Sequence, residues 1–277
     1  MRIDAHQHFW TLSRGDYPWP NESVALIFRD FGPGDLAPLL AAAGINRTIL
    51  VQATDTVAET EFLLDLAARN EFVAGVVGWV DLTALDAVAT IDRLRADPGL
   101  KGLRPMLQNI EATDWILQDA AAPTLAHMEA AGLRFDALIQ PRHLPVIDKL
   151  AGRYPGLPIV IDHIAKPVMG GGVAPDADWA DGIGRLATRD NVWCKLSGVV
   201  TEAGPGWTTG DLAPFAAHVL DAFGAGRVMF GSDWPVVTLA SDYATWAQTA
   251  DWLIADLPAP EQAEVRGGTA ARFYGIN

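Results

Sequence analysis

The chain has 277 residues, 50% of them apolar and 19% charged, which is enough to bury one large core and excludes a disordered chain. Twenty basic against 34 acidic residues leave a net charge of −14, a field that repels a phosphate backbone and removes nucleic acid as a default partner. A single cysteine, Cys194, rules out a disulfide framework and a cysteine-built zinc centre, and makes a reducing cytoplasm the expected location.

In chain order, short β-rich runs alternate with alanine- and leucine-rich helical stretches. Strands are predicted at Ile3–Phe9, Arg47–Gln52, Phe72–Val80, Gly102–Leu107, Arg134–Ile139, Pro158–Asp162, Val192–Leu196 and Arg227–Phe230. Between and after them, helices are predicted at Asp35–Ala43, Glu59–Arg69, Leu85–Ala96, Ala122–Ala131, Leu144–Arg153, Trp179–Thr188, Leu212–Phe223 and Asp242–Ala255. Gly44, Gly132 and Gly224 stand where left-handed helix caps belong. Eight β–α units in a row predict a parallel sheet closed into a (β/α)8 TIM barrel, one domain over residues 1–277. An open doubly wound sheet would show a glycine-rich phosphate turn after its first strand, and His6-Gln7-His8-Phe9-Trp10 is not one. No linker divides the chain. No apolar run is long enough to span a membrane, and the first six residues are no leader-like apolar segment.

Helix-to-strand connections are short, whereas Trp10–Gly34, Lys166–Asp178 and Ser197–Asp211, which leave strands, are long and rich in glycine and aromatic residues. Long loops at the strands' C-terminal ends mark the working face of such a barrel.

The chemistry-bearing residues gather at those ends. His6 and His8 sit two apart on the first strand, on one face and about 7 Å apart, with Asp4 expected on the same side. Two converging imidazoles suit a divalent cation, although core packing is the plainer reading of such a pair. His163 follows three β-branched residues at the end of strand six, beside Asp162, which reads as its structural partner. Asp233 follows strand eight after Gly231-Ser232, where a carboxylate can face a metal and accept a proton from water, or simply cap a turn. Arg104 and Lys195 place cations at the ends of strands four and seven, either to hold an oxyanion or to form salt bridges. Gln52, Gln140 and Arg142 are weaker candidates for substrate contact. Trp10, Trp19, Trp207 and Trp234 lie in strand-exit loops, where they could wall a sugar-sized pocket. His127, His143 and His218 read as ordinary helix or turn residues, and Cys194 as a small core residue.

Taken together, Asp4–Trp10, Lys101–Gln108, Ile161-Asp162-His163 with Lys166-Pro167, Cys194–Gly198, Gly231–Pro235 and Thr269–Tyr274 resemble, in order, the motifs of amidohydrolase-superfamily lactonases. Within these the chain is similar to the sugar-lactonase branch that includes L-fuconolactonase and L-rhamnono-1,4-lactonase. The resemblance implies a (β/α)8 barrel that hydrolyses the cyclic ester of an aldonolactone in the breakdown of a sugar such as L-rhamnose or L-fucose. It implies His6, His8, Arg104, His163, Lys195 and Asp233 as the site. Strand five ends Leu138-Ile139-Gln140 and offers neither a metal-bridging lysine nor a histidine, which argues against a two-metal centre. One metal, zinc or manganese on His6, His8 and Asp233, is expected; in a metal-independent variant the histidines and cations polarise the carbonyl. The expected partner is a small-molecule sugar lactone, and a homodimer is compatible with the sequence. The alternatives are a hydrolase of pyrone or muconolactone carboxylates, a decarboxylase of the same superfamily, and a barrel that only binds a sugar acid.

Overall fold

The computed structural model describes residues 1–276. Eight parallel strands, β1 (Ile3–Gln7), β2 (Arg47–Val51), β3 (Val73–Gly78), β4 (Leu100–Leu103), β5 (Arg134–Ala137), β6 (Ile159–Ile161), β7 (Val192–Leu196) and β8 (Val228–Phe230), form one sheet in sequence order. The helices packed around it are α1 (Pro33–Ala43), α2 (Val57–Ala68), α3 (Ala87–Leu94), α4 (Ala122–Ala131), α5 (Leu144–Arg153), α6 (Ala177–Ala187), α7 (Val199–Ala203), α8 (Thr209–Phe223), α9 (Tyr243–Leu253), α10 (Ala259–Ala263) and α11 (Thr269–Tyr274). This is the (β/α)8 barrel. All eight predicted strands and eight predicted helices are present, while α7, α10 and α11 add to the expected set. No helix among the described residues is long and apolar enough to cross a membrane.

Strands covered on both faces read as continuous apolar runs, because neither face meets water. Ile3, Ala5, Ile49, Val51, Val77, Val160 and Met229 fill the barrel interior, and Phe273 and Tyr274 of α11 join them from the strands' N-terminal end. A larger apolar shell, including Leu50, Leu103, Phe135, Ile161 and Val228, lies between barrel and helices. Each such fully buried side chain contributes roughly 1.5–3 kcal/mol relative to exposure. Gly267 lets the C-terminal segment press against β1: a Cβ there would stand 2.9 Å from Ile3 N.

Two local irregularities shape the mouth. In β1, Asp4 pairs with Thr48 but Gln7 with Leu50, so one extra residue is inserted and the alternation of faces breaks. Asp4 was expected on the side of His6 and His8; the bulge instead turns it outward, where it accepts hydrogen bonds from Tyr243 Oη of α9 at 3.0 Å and Ser232 N at 2.8 Å. Ladders also end early: β4 stops at Leu103, not Leu107, because the following residues turn their side chains to the rim. The ring closes between β1 and the segment after β8. Gln7 bridges Trp234, His8 N donates to Trp234 O at 2.7 Å, and Asp233 N donates to His6 O at 2.8 Å. The seam of the barrel therefore passes through four of the candidate residues, His6, His8, Asp233 and Trp234.

Candidate active site

A cavity of about 620 Å³ opens at the strands' C-terminal ends, a size suited to a small ring. His8, Arg104, His163 and Asp233 line its floor. Pro18, Trp19 and Val24 from the long loop after β1 cover one side, and Lys166 and Thr201 another, so all three long exit loops contribute.

At the floor, three acceptor atoms meet. His6 Nε2 and His8 Nε2 are 3.2 Å apart, and Asp233 Oδ1 lies 3.6 and 3.3 Å from them. His8 Nδ1 sits 2.8 Å from Val51 O, which can only accept, so Nδ1 carries the proton and Nε2 offers a lone pair to the cluster. His6 Nδ1 stands between Asp162 Oδ1 at 3.3 Å and Lys195 Nζ at 3.1 Å, and its Nε2 faces the cluster. Ligands held about 2.05 Å from a tetrahedral cation stand about 3.3 Å apart, so this donor set fits one divalent metal with a position left open. The described residues also bring His6, Asp162 and His163 together as a second potential metal-binding group.

His163 Nε2 lies 3.9 Å from Asp233 Oδ1, and its Nδ1 is fixed at 2.9 Å by Ser197 Oγ. It reaches this position through a left-handed turn of four non-glycine residues: His163 (φ 53°), Ile164 (48°), Ala165 (64°) and Lys166 (50°). Asp233 shares that conformation at φ 59°. Such backbone costs on the order of 1–2 kcal/mol per residue and is characteristic of functional sites. Gly198 allows close approach to the ring: a Cβ there would stand 2.5 Å from His163 Nδ1.

Burial alone would raise the carboxyl of Asp233, but His163, His8 and His6 outweigh it and hold the group well below the usual carboxylate range. Burial drives His163 down to about 4 and His6 well below its ordinary value. The cluster thus combines the neutral imidazoles of His6 and His163 with an ionised carboxylate, a set able to accept a proton from water.

Beneath it lies a sealed ionic layer. Lys195 Nζ meets Asp136 Oδ2 at 2.6 Å, Asp162 Oδ1 at 3.0 Å and His6 Nδ1 at 3.1 Å. Tyr274 Oη donates to Asp136 Oδ2 at 2.7 Å, tying α11 to the floor. Arg104 bridges the two layers: Nη1 is 3.3 Å from Asp162 Oδ2 and 3.4 Å from His6 Nε2, while Nη2 donates to Gln52 O. Its Nε finds no partner among the described residues.

The structure therefore unites His6, His8, Arg104, His163, Lys195 and Asp233, with Lys195 buried under His6 and outside the cavity lining. The five expected substrate contacts lie elsewhere. Gln52 Nε2 donates to Arg104 O at 2.8 Å and braces that strand. Gln140 accepts from Arg142 Nε at 3.2 Å, and Arg142 binds Ile110 O and Glu111 O, anchoring the loop after β4. Trp10 and Trp234 are buried, packed edge-on against Phe31; Trp207 is tied to Ala240 O. Of the loop tryptophans only Trp19 lines the cavity. Asp136 is not among the residues singled out from the sequence, and Tyr274 and Lys166 are singled out only as parts of motifs. Asp136 had a signal, a lone carboxylate inside an apolar strand. His127, His143 and His218 bond to Asp92, Gln140 and Ala180 away from the cavity, and burial pushes the Cys194 thiol up.

The amidohydrolase family profile matches residues 3–276. An L-fucono-1,5-lactonase of Burkholderia ambifaria is 47% identical over 281 residues, covering 100% of this chain and 96% of that protein. A second L-fucono-1,5-lactonase, from Burkholderia multivorans, is 38% identical, with 100% and 96% covered. The crystal structure of an amidohydrolase from Burkholderia multivorans with bound zinc superposes with a TM-score of 0.93 at 36% identity, covering 100% of both chains.

Proposed function

The chain belongs to the amidohydrolase family, and from that premise we propose that it hydrolyses the ring ester of a sugar-acid lactone to the aldonate, with L-fucono-1,5-lactone the first substrate to test. The observation that carries this reading is the meeting of an ionised Asp233 with the imidazoles of His6, His8 and His163 at the base of a ring-sized cavity.

A lactone is already an activated ester, so the work is to polarise its carbonyl and aim a water at it. A Zn²⁺ or Mn²⁺ held by His6, His8 and Asp233 would act as a Lewis acid when bound. Asp233 takes the proton of the attacking water and returns it to the ring oxygen as the ester C–O bond breaks. His163, fixed by Ser197, orients water or substrate opposite Asp233. Arg104, which lines the cavity, brings its positive charge to the carbonyl oxygen as negative charge develops. Lys195 and Asp162 position His6 from below and do not touch substrate. Trp19 offers an apolar face to the sugar ring.

A pH-indicator assay across aldonolactones should show acid release with a five- or six-membered ring. No turnover of any member would reject the reading. Metal analysis before and after chelation assigns the polarising charge: activity lost on chelation and restored by zinc or manganese places it on the metal, and full activity without metal places it on Arg104 and the histidines.

A further inference from the structure

Two cations line the cavity, Arg104 and Lys166, and each already has a carboxylate partner. Arg104 is held by Asp162 and Gln52. Lys166 Nζ lies 3.1 Å from Glu202 Oε1 of α7, with both side chains mostly withdrawn from solvent. Asp55 and Asp233 add two more carboxylates to the lining. The lining thus carries two cations and two carboxylates, and each cation is already matched by a further carboxylate, Asp162 or Glu202, outside the lining.

The position of Glu202 is built in. Lys166 ends the left-handed turn that carries His163, and its amide closes that turn on His163 O at 2.8 Å. The glycine-rich segment that follows locks onto α7 and α8: Gly170, at φ 93°, packs so closely on Ala203 O that no side chain fits, and Gly172 N donates to Asp211 Oδ1 at 2.7 Å. One rigid junction therefore sets Lys166 and Glu202 face to face at the rim.

Resting on the lactonase reading above, we propose that Glu202 sets the charge preference of the cavity by neutralising Lys166. A lactone with no ionised substituent is accepted, and one bearing a carboxylate meets no unpaired cation at the rim. Discrimination by an unfavourable charge is as effective as an added attraction.

The test compares kcat/KM for a neutral aldonolactone with that for a carboxylate-bearing lactone in wild type, Glu202→Gln and the double variant Glu202→Gln/Lys166→Met. Freeing Lys166 should raise the anionic-to-neutral ratio about tenfold, and removing the lysine as well should return it to the wild-type value. Should Glu202→Gln not fold, Lys166→Glu is read instead, and the ratio should fall about tenfold or more. An unchanged ratio in an active variant overturns the role of Glu202 while leaving the lactonase reading intact. No turnover of a neutral lactone by the wild type overturns both.

Discussion

In the lower layer of the barrel, Lys195 lies between Asp136 and Asp162 at 2.6 and 3.0 Å, and Tyr274 closes the far side. In the upper layer, 3.2–3.6 Å separate His6, His8 and Asp233, whose acceptor atoms point at one another with few protons between them. Both layers are almost wholly buried, but in the lower one a cation and carboxylates pair directly, with Asp136 Oδ1 and Asp162 Oδ1 the oxygens left without a hydrogen-bond partner. There, burial would raise Asp162, and Lys195, His6 and Arg104 hold it far below the ordinary range instead. A buried polar cluster whose opposite charges pair supports the fold. One whose lone pairs converge on the space before it is shaped for something else to complete.

The contrast can be broken most sharply at Asp233. Replacing it with Asn keeps the shape and removes the base, so kcat should fall about 10²–10⁴-fold while the melting temperature moves by only a few degrees. Near wild-type kcat would take Asp233 out of the chemistry. The lower layer should respond in the opposite sense. Lys195→Met leaves Asp136 without its cation and Asp162 with Arg104 alone, and chemical denaturation should show a loss of about 3–5 kcal/mol. A stable Lys195→Met protein with activity lost would instead move Lys195 into the chemical step. The smallest effect is in pH. His163 titrates near 4 in the folded chain against 6.5 as a free group, so between those values the folded state binds fewer protons than the unfolded. Its contribution to stability is therefore present above about pH 6.5 and lost as the pH falls toward 4. The profile of kcat/KM should accordingly stay flat from about pH 7 to 5 and decline only toward 4. An inflection near 6.5 would mean that the imidazole is solvated.

Much of the barrel was legible in the sequence, because a strand buried on both faces must be written as a run such as Thr48–Val51 or Val76–Val77, and a polar residue ending that run has few places to go but the rim. His6, His8, Arg104, His163 and Asp233 are placed near the strands' C-terminal ends by that rule, and the structure brings them together there. Asp4 was misplaced because a bulge carries no local signature and inverts every side chain beyond it. Trp10 and Trp234 were taken for pocket walls, yet large aromatic side chains beside a cavity gain more by packing on Phe31 and Phe9 than by facing water. The tie between Asp136 and Tyr274 leaves no such trace: 138 residues separate them, and only closure of the barrel brings them within 2.7 Å.

The seam between β1 and the stretch after β8 carries one last implication. A cylinder made from a linear chain must be fastened somewhere, and here the clasp is the backbone on either side of His6 and Asp233. The same amide that latches the first staves to the last also sets the height of the carboxylate, so the molecule cannot loosen its girth there and keep the tool at its rim aligned.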